Sequence, residues 1–313
     1  MMCSSSFRKL VFFMVLYRSF IDCNIIPKAE LKGHEIVVGK AFNYKWNEGA
    51  KSYELVTTES HKVPLRDLRS MDEKPNLKTD GFTYVSDRPT IDGADFKKQK
   101  GRNKLKPFLE KDSIQLVKDL TGSKSAIAFG SVYRDASSVG TNEIIPAIHS
   151  DMSPEGAIYF KTGFQQKLLA SKDPSEVKFG QKMKKGKDVM ILNVWRPLKI
   201  VQDNPLGICK WSSLLKQDAI NFDRKIEATN ALNSFQAWKY REGQQWFYIS
   251  QQTPDQAYIF VQHDSRDGHG INVPHASFTL EDKQARKPTR ISFETRIVAL
   301  VDSPSQGGKF SLE

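Results

Sequence analysis

Residues 245–263, QWFYISQQTPDQAYIFVQH, hold two runs rich in aromatic and β-branched side chains on either side of Pro254-Asp255. Such runs favour strands, and a Pro-Asp pair favours a turn. The same texture recurs at residues 126–134 (AIAFGSVYR), 189–195 (VMILNVW), 206–211 (LGICKW) and 290–301 (RISFETRIVALV). Short strands mostly spaced without helices between them predict a β-sandwich or jelly roll and argue against a doubly wound parallel sheet. Neither a G-x-G-x-x-G nor a G-x-x-x-x-G-K-[ST] loop occurs, which removes the commonest nucleotide-dependent classes.

Working outward, residues 35–57 read as extended segments around a turn at Asn47-Glu48-Gly49. Residues 64–105, broken by Pro75, Gly81, Pro89 and Gly93, read mostly as loop. Residues 112–120 predict an amphipathic helix with Asp112 or Ser113 as N-cap and Gly122 as its stop. Phe160, Phe164, Leu168 and Leu169 give residues 155–170 helical spacing, and residues 172–187 read as a charged surface segment. The expected class is mainly β with flanking helices (α+β). One domain is expected over residues 35–304, between an N-terminal extension, 1–34, and a tail, 305–313.

The composition narrows the function. Of 313 residues, 47 are Lys or Arg and 36 Asp or Glu, a net charge of +11, and 39% are hydrophobic, too many for a disordered chain. Cys3, Cys23 and Cys209 are too few and scattered for a disulfide scaffold or a structural zinc site. The basic balance leaves nucleic acid, an anionic small molecule or an acidic surface open as partners. Two Lys-rich stretches, 97–106 and 182–187, carry much of it, but neither interleaves aromatics for base stacking, so no nucleic-acid partner is expected. The apolar run at residues 10–17 follows Arg8 and Lys9 as in a secretory signal, yet lacks a clear small-residue cleavage site and falls far short of the ~20 residues of a membrane span. No membrane partner is expected. A cytoplasmic location is favoured over secretion, and oligomeric state is not legible.

One histidine stands out by spacing. His149 and Asp151 are two residues apart, so on an extended strand they share a face and can take adjacent corners of a metal ion. A distant His would complete a two-His-one-carboxylate set, which leaves positions open on iron. Alone the pattern is weakly specific, because six His among 36 acids produce it by chance. Downstream, His269 lies in a Gly-flanked loop and His275 in NVPHASF; both are candidate distal ligands. Residues 290–296 then place Arg290, Ser292, Glu294 and Arg296 on one strand face. Two arginines there suit either a bound carboxylate or a solvated edge with cross-strand pairing.

In order, the chain shows His-x-Asp, a long stretch, His, then Arg-x-Ser, and over residues 41–301 it resembles a known family. The carriers are Phe42-Asn43-Tyr44, Leu65-Arg66-Asp67-Leu68-Arg69, Gly81-Phe82, His149-x-Asp151, Asn193-Val194-Trp195-Arg196-Pro197-Leu198, Trp246-Phe247-Tyr248, Asp264-Ser265, Pro274-His275 and Arg290-x-Ser292-x-Glu294-x-Arg296. It is similar to the non-haem Fe(II)/2-oxoglutarate-dependent oxygenases, within them to the asaB-type hydroxylase/desaturase family, with gibberellin-desaturase-like members and a cephalosporin methoxylase subunit.

The resemblance implies a double-stranded β-helix (jelly roll, cupin-like) and oxidation of a C–H bond of a small molecule of secondary metabolism, by hydroxylation or desaturation. Fe(II), 2-oxoglutarate and O2 are the implied cofactors. His149, Asp151 and His275 are the implied iron ligands, His275 matching the Pro-His position. Arg290 with Ser292, or else Arg296, would take the distal carboxylate of 2-oxoglutarate. Tyr133, Arg134, Asn193, Trp195 and Arg196 are expected around the substrate pocket, Arg196 with a structural acid as an equal alternative. Gln256 and the Val261-Gln262 pair depart from the family pattern at acidic and Lys positions. Rival readings are a basic binding protein on a catalytically inactive jelly-roll scaffold and a zinc-dependent hydrolase, for which Arg290 and Ser292 have no role.

Overall fold

The computed structural model describes residues 36–303 apart from 48, 50, 51, 92–94, 97, 138–142, 221–234, 267–269 and 282–287. The apolar run at 10–17, the extension 1–34, the tail 305–313 and His269 therefore lie outside the described residues.

Chain order begins β1 (Ile36–Asn47), β2 (Ser52–Asp67), β3 (Phe82–Val85), α1 (Gln99–Thr121), β4 (Ser125–Asp135), β5 (His149–Ser150), α2 (Pro154–Leu169) and α3 (Pro174–Lys184). It continues β6 (Asp188–Pro197), β7 (Leu206–Cys209), β8 (Ala219–Ile220), β9 (Gln236–Trp238), β10 (Trp246–Tyr248), β11 (Ala257–Asp264), β12 (His275–Ser277), β13 (Thr279–Leu280) and β14 (Ile291–Val301). Two sheets result, ordered β13-β1-β2-β10-β7-β12-β5-β9-β8 and β3-β11-β6-β14-β4. The strands pair antiparallel except where β10 runs parallel to β2. From β4 to β7, and again from β10 to β14, the chain crosses back and forth between the sheets, as in a jelly roll.

Period-two alternation explains the layers. Trp246 and Tyr248 join Leu65, Ile148 and Phe278 in one cluster, whereas Phe247 between them joins Ile208, Leu192 and Phe260. The latter cluster draws on both sheets and takes in Leu116 and Val117 of α1. The three helices pack on the five-stranded sheet: Leu109 meets Phe293, and Phe164, Leu168, Phe179 and Met183 meet Ile191 and Val298.

Several expectations need correction. The segment 64–105 is less loop-like than it reads: β2 runs to Asp67 and β3 lies within it. Helix α1 begins at Gln99, with Lys98 as N-cap and exposed Pro107 inside, and ends at Gly122 as expected, φ 68°. An interior proline removes one helical hydrogen bond; here the buried stripe of Leu109, Leu116 and Val117 outweighs it. The charged segment 172–187 contains α3, capped by Asp173 with Pro174 in its first turn. Burying Phe179 and Met183 stabilises this helix by about 1.5–3 kcal/mol per side chain.

Candidate metal and co-substrate site

Two short strands of the larger sheet bring the candidate ligands together. β5 pairs with β12 so that His149 lies directly opposite His275, and their ring centroids are 4.4 Å apart. Asp151 follows at the end of β5, its Oδ1 4.0 Å from His149 Nε2. One ligand atom from each of the three residues lies within 4.8 Å of the others.

Backbone carbonyls fix both imidazoles. His149 Nδ1 donates to Ala147 O at 2.8 Å and His275 Nδ1 donates to Val273 O at 3.3 Å. This orientation turns each Nε2 toward the shared space with a lone pair. Burial, helped by the charge of His275, pushes His149 down to about 3, and burial lowers His275 as well. Burial would raise Asp151, but Arg296 and the two imidazoles outweigh it and hold the carboxyl well below its usual range. At neutral pH the set is two neutral imidazoles and one carboxylate, the donor chemistry that suits Fe(II) or Zn(II).

The smaller sheet supports Asp151. Asn193 Nδ2 on β6 donates to Oδ2 at 2.5 Å, and Arg296 on β14 donates to Oδ1 at 3.0 Å. Arg296 Nε also donates to Glu294 at 3.2 Å. Burial and the Asp151 charge raise the Glu294 carboxyl. Gln262 was not expected in this role: its Oε1 accepts from the Asp151 amide at 2.6 Å, and its Nε2 donates to Val273 O at 3.1 Å. One buried amide therefore ties the Asp151 turn to the carbonyl that orients His275. A position marked only as a departure from the family pattern was the signal.

A cavity open to solvent lies beside the ligands, and Arg134, Trp195, Ser277, Arg290, Glu294 and Arg296 line it with them. Arg290, 2% exposed, donates to Asn204 O at 2.7 Å and Ser277 Oγ at 3.0 Å, while its Nε is unpartnered. Its guanidinium lies 5.4 Å over the Trp195 ring. Burial pulls it down to about 9, and no carboxylate lies within ion-pair distance of it among the described residues. Ser292 Oγ is likewise buried and unpartnered.

Two expected pocket residues lie elsewhere, for one reason. Adjacent residues on a strand face opposite ways. Arg134 lines the cavity, so Tyr133 points outward and stacks on Phe96 with centroids 5.5 Å apart. Asn193 and Trp195 face inward, so Arg196 faces α1. It donates to Asp112 Oδ2 at 2.6 Å, which makes the structural-acid alternative the correct one. His263 is buried on β11 and does not line the cavity.

Fold and site together place two histidines and an aspartate able to hold a metal ion between the sheets of a jelly roll. A family model described as an oxidoreductase/YMDC permease-like domain matches residues 32–300, and the chain belongs to that family. It is 28% identical over 249 residues to alpha-ketoglutarate-dependent dioxygenase phiK of a fungal species (strain ATCC 74256), covering 76% of this chain and 83% of that one. It is 25% identical over 262 residues to hydroxylase/desaturase efuI of Hormonema carpetanum, covering 75% and 81%. The solved iron and alpha-ketoglutarate-dependent endoperoxidase NvfI shares the fold, with TM-score 0.64, 19% identity and coverage of 86% and 98%.

Proposed function

We propose that the chain is an Fe(II)/2-oxoglutarate-dependent oxygenase that hydroxylates or desaturates a small molecule of secondary metabolism. The observation that carries this reading is a single cavity lined by His149, Asp151 and His275 and by the buried, partly unsatisfied Arg290. A zinc hydrolase would have no use for that arginine. The alternative of an inactive basic scaffold leaves both the metal set and Arg290 unexplained.

His149, Asp151 and His275 hold the metal. Bound Fe(II), with 2-oxoglutarate and O2, supplies oxidation of a substrate C–H bond coupled to decarboxylation of 2-oxoglutarate to succinate and CO2. Arg290, with the Ser292 hydroxyl, binds the distal carboxylate of 2-oxoglutarate, because its Nε is free and, among the described residues, no acid pairs with it. Arg296 is the weaker candidate, since Asp151 and Glu294 already engage it. Arg296 and Asn193 orient Asp151. Trp195 shields the cavity from water and supports the Arg290 guanidinium. Among the described residues no helix is long and apolar enough to cross a membrane. A cytoplasmic site of action fits the supply of 2-oxoglutarate and Fe(II).

Protein purified without air is given Fe(II), 2-oxoglutarate and then O2. The expected result is succinate formation that His149→Ala abolishes. A chain unable to bind Fe(II) overturns the reading.

A further inference from the structure

The charges of the cavity can be matched one by one, and one is left over. Given the oxygenase reading, on which this inference rests, Arg290 is matched by one carboxylate of 2-oxoglutarate. The metal is matched by Asp151 and the other carboxylate. Arg296 is matched by Glu294. Arg134 remains. It stands on β4 directly opposite Ser292, its side chain lines the same cavity, and among the described residues no carboxylate lies within ion-pair distance of it. Its hydrogen bond goes to a backbone carbonyl, Glu143 O, at 2.8 Å.

Arg134 is half-buried. The field of Arg134 reaches His149, Arg290, Glu294 and Tyr44. Behind the His149 ring, Tyr44 and Phe235 pack edge to face at 5.2 Å, and both approach that ring, at 6.3 and 6.4 Å. Ile145 and Leu206 add apolar lining. A cation that shares its cavity with Ile145, Trp195, Leu206 and Ala276 beside a metal site suits an amphipathic anion, with the carboxylate on the guanidinium and the hydrocarbon against these apolar side chains.

We propose that Arg134 is the substrate-recognition residue and that the substrate is a small apolar molecule bearing a carboxylate. Bidentate pairing there would fix one end of the molecule, so the C–H bonds presented to the metal lie at a set distance from the acid group.

The test uses the whole chain loaded with Fe(II) and saturating 2-oxoglutarate without O2, and two probes of matched shape, 1-naphthoate and 1-naphthamide, read by calorimetry. Failure to load would indict the oxygenase reading before any probe is added. In the loaded protein the acid is expected to bind at least about tenfold more tightly than the amide. Arg134→Gln should reduce that preference to about twofold or less, and Arg134→Lys, which keeps the charge but not the bidentate fork, should fall between the two. The acid-to-amide ratio is taken within each variant, so any loss of loading affects both probes alike. Equal affinities in the wild type, no binding of the acid, or an undiminished preference in Arg134→Gln would overturn the proposal. So would a loss of 2-oxoglutarate affinity of about tenfold or more in Arg134→Gln, which would assign this arginine to the co-substrate.

Discussion

Gln262→Leu isolates the amide that links the two ligand-bearing segments. Gln262 is 1% exposed, so water cannot replace what the leucine lacks. Three polar groups are affected, and they fare differently. Val273 O keeps the His275 Nδ1 donor at 3.3 Å, and Val261 O keeps the Val273 amide at 2.9 Å. The Asp151 amide loses its 2.6 Å acceptor and is orphaned. One buried donor without a partner costs about 1–3 kcal/mol of folding stability. The turn that aims Asp151 is also released, and loss of such outer support reduces metal affinity by about 10–100-fold. The assays are urea denaturation of the metal-free protein and anaerobic Fe(II) or Co(II) titration against a competing chelator. Gln262→Glu, which keeps an acceptor for the Asp151 amide, should recover most of the affinity. A stability loss of the stated size with metal affinity within about twofold of wild type would refute the reasoning and leave Gln262 a packing residue.

Asp112 accepts from both Arg88 and Arg196, and Arg196 is 1% exposed. Asp112→Ala should therefore destabilise the protein by about 3–5 kcal/mol, measured by denaturation, with Fe(II) affinity of the folded fraction unchanged; a large loss of metal affinity would return Arg196 to the site. Burial pushes the Cys209 thiol up from 9.0 to about 12, so the folded state keeps it neutral while the unfolded chain ionises it. Its stabilising contribution is complete below pH 9 and is lost as pH rises from 9 toward 12. The stability difference between wild type and Cys209→Ala should shrink by roughly 0.8 kcal/mol between pH 7.5 and 9.5. In a background lacking Cys3 and Cys23, the folded protein should resist a thiol reagent that labels it in urea; rapid labelling when folded would contradict the burial.

Much of the site was legible because its chemistry is concentrated in short patterns. His149-x-Asp151 and Arg290-x-Ser292 each put two functional groups on one strand face, and that face is the one the structure turns inward. Less legible was what carries them. β5 and β12 span two and three residues, too short for a period to register. Pro107 reads as a break, yet tertiary burial carries α1 through it. The Asp173-Pro174 start of α3 was hidden by surrounding lysines, although Asp before Pro and a Glu at 176 is a capping signal. Strand alternation separates Tyr133 from Arg134 and Arg196 from Trp195, so neighbours in sequence do not share the cavity. Gln262 acts through contacts to residues far away in sequence, and no local pattern points to them.

The most direct test of the account is 2-oxoglutarate binding to the Fe(II)-loaded protein, measured anaerobically for wild type, Arg290→Leu and Arg296→Leu. Wild type should bind one equivalent. Arg290→Leu should bind at least about 100-fold more weakly while still holding Fe(II), because it removes a buried charge-assisted carboxylate contact. Arg296→Leu should show its larger loss in Fe(II) affinity instead, through Asp151. Wild type that fails to bind Fe(II), or Arg290→Leu that binds 2-oxoglutarate as tightly as wild type, would contradict the account.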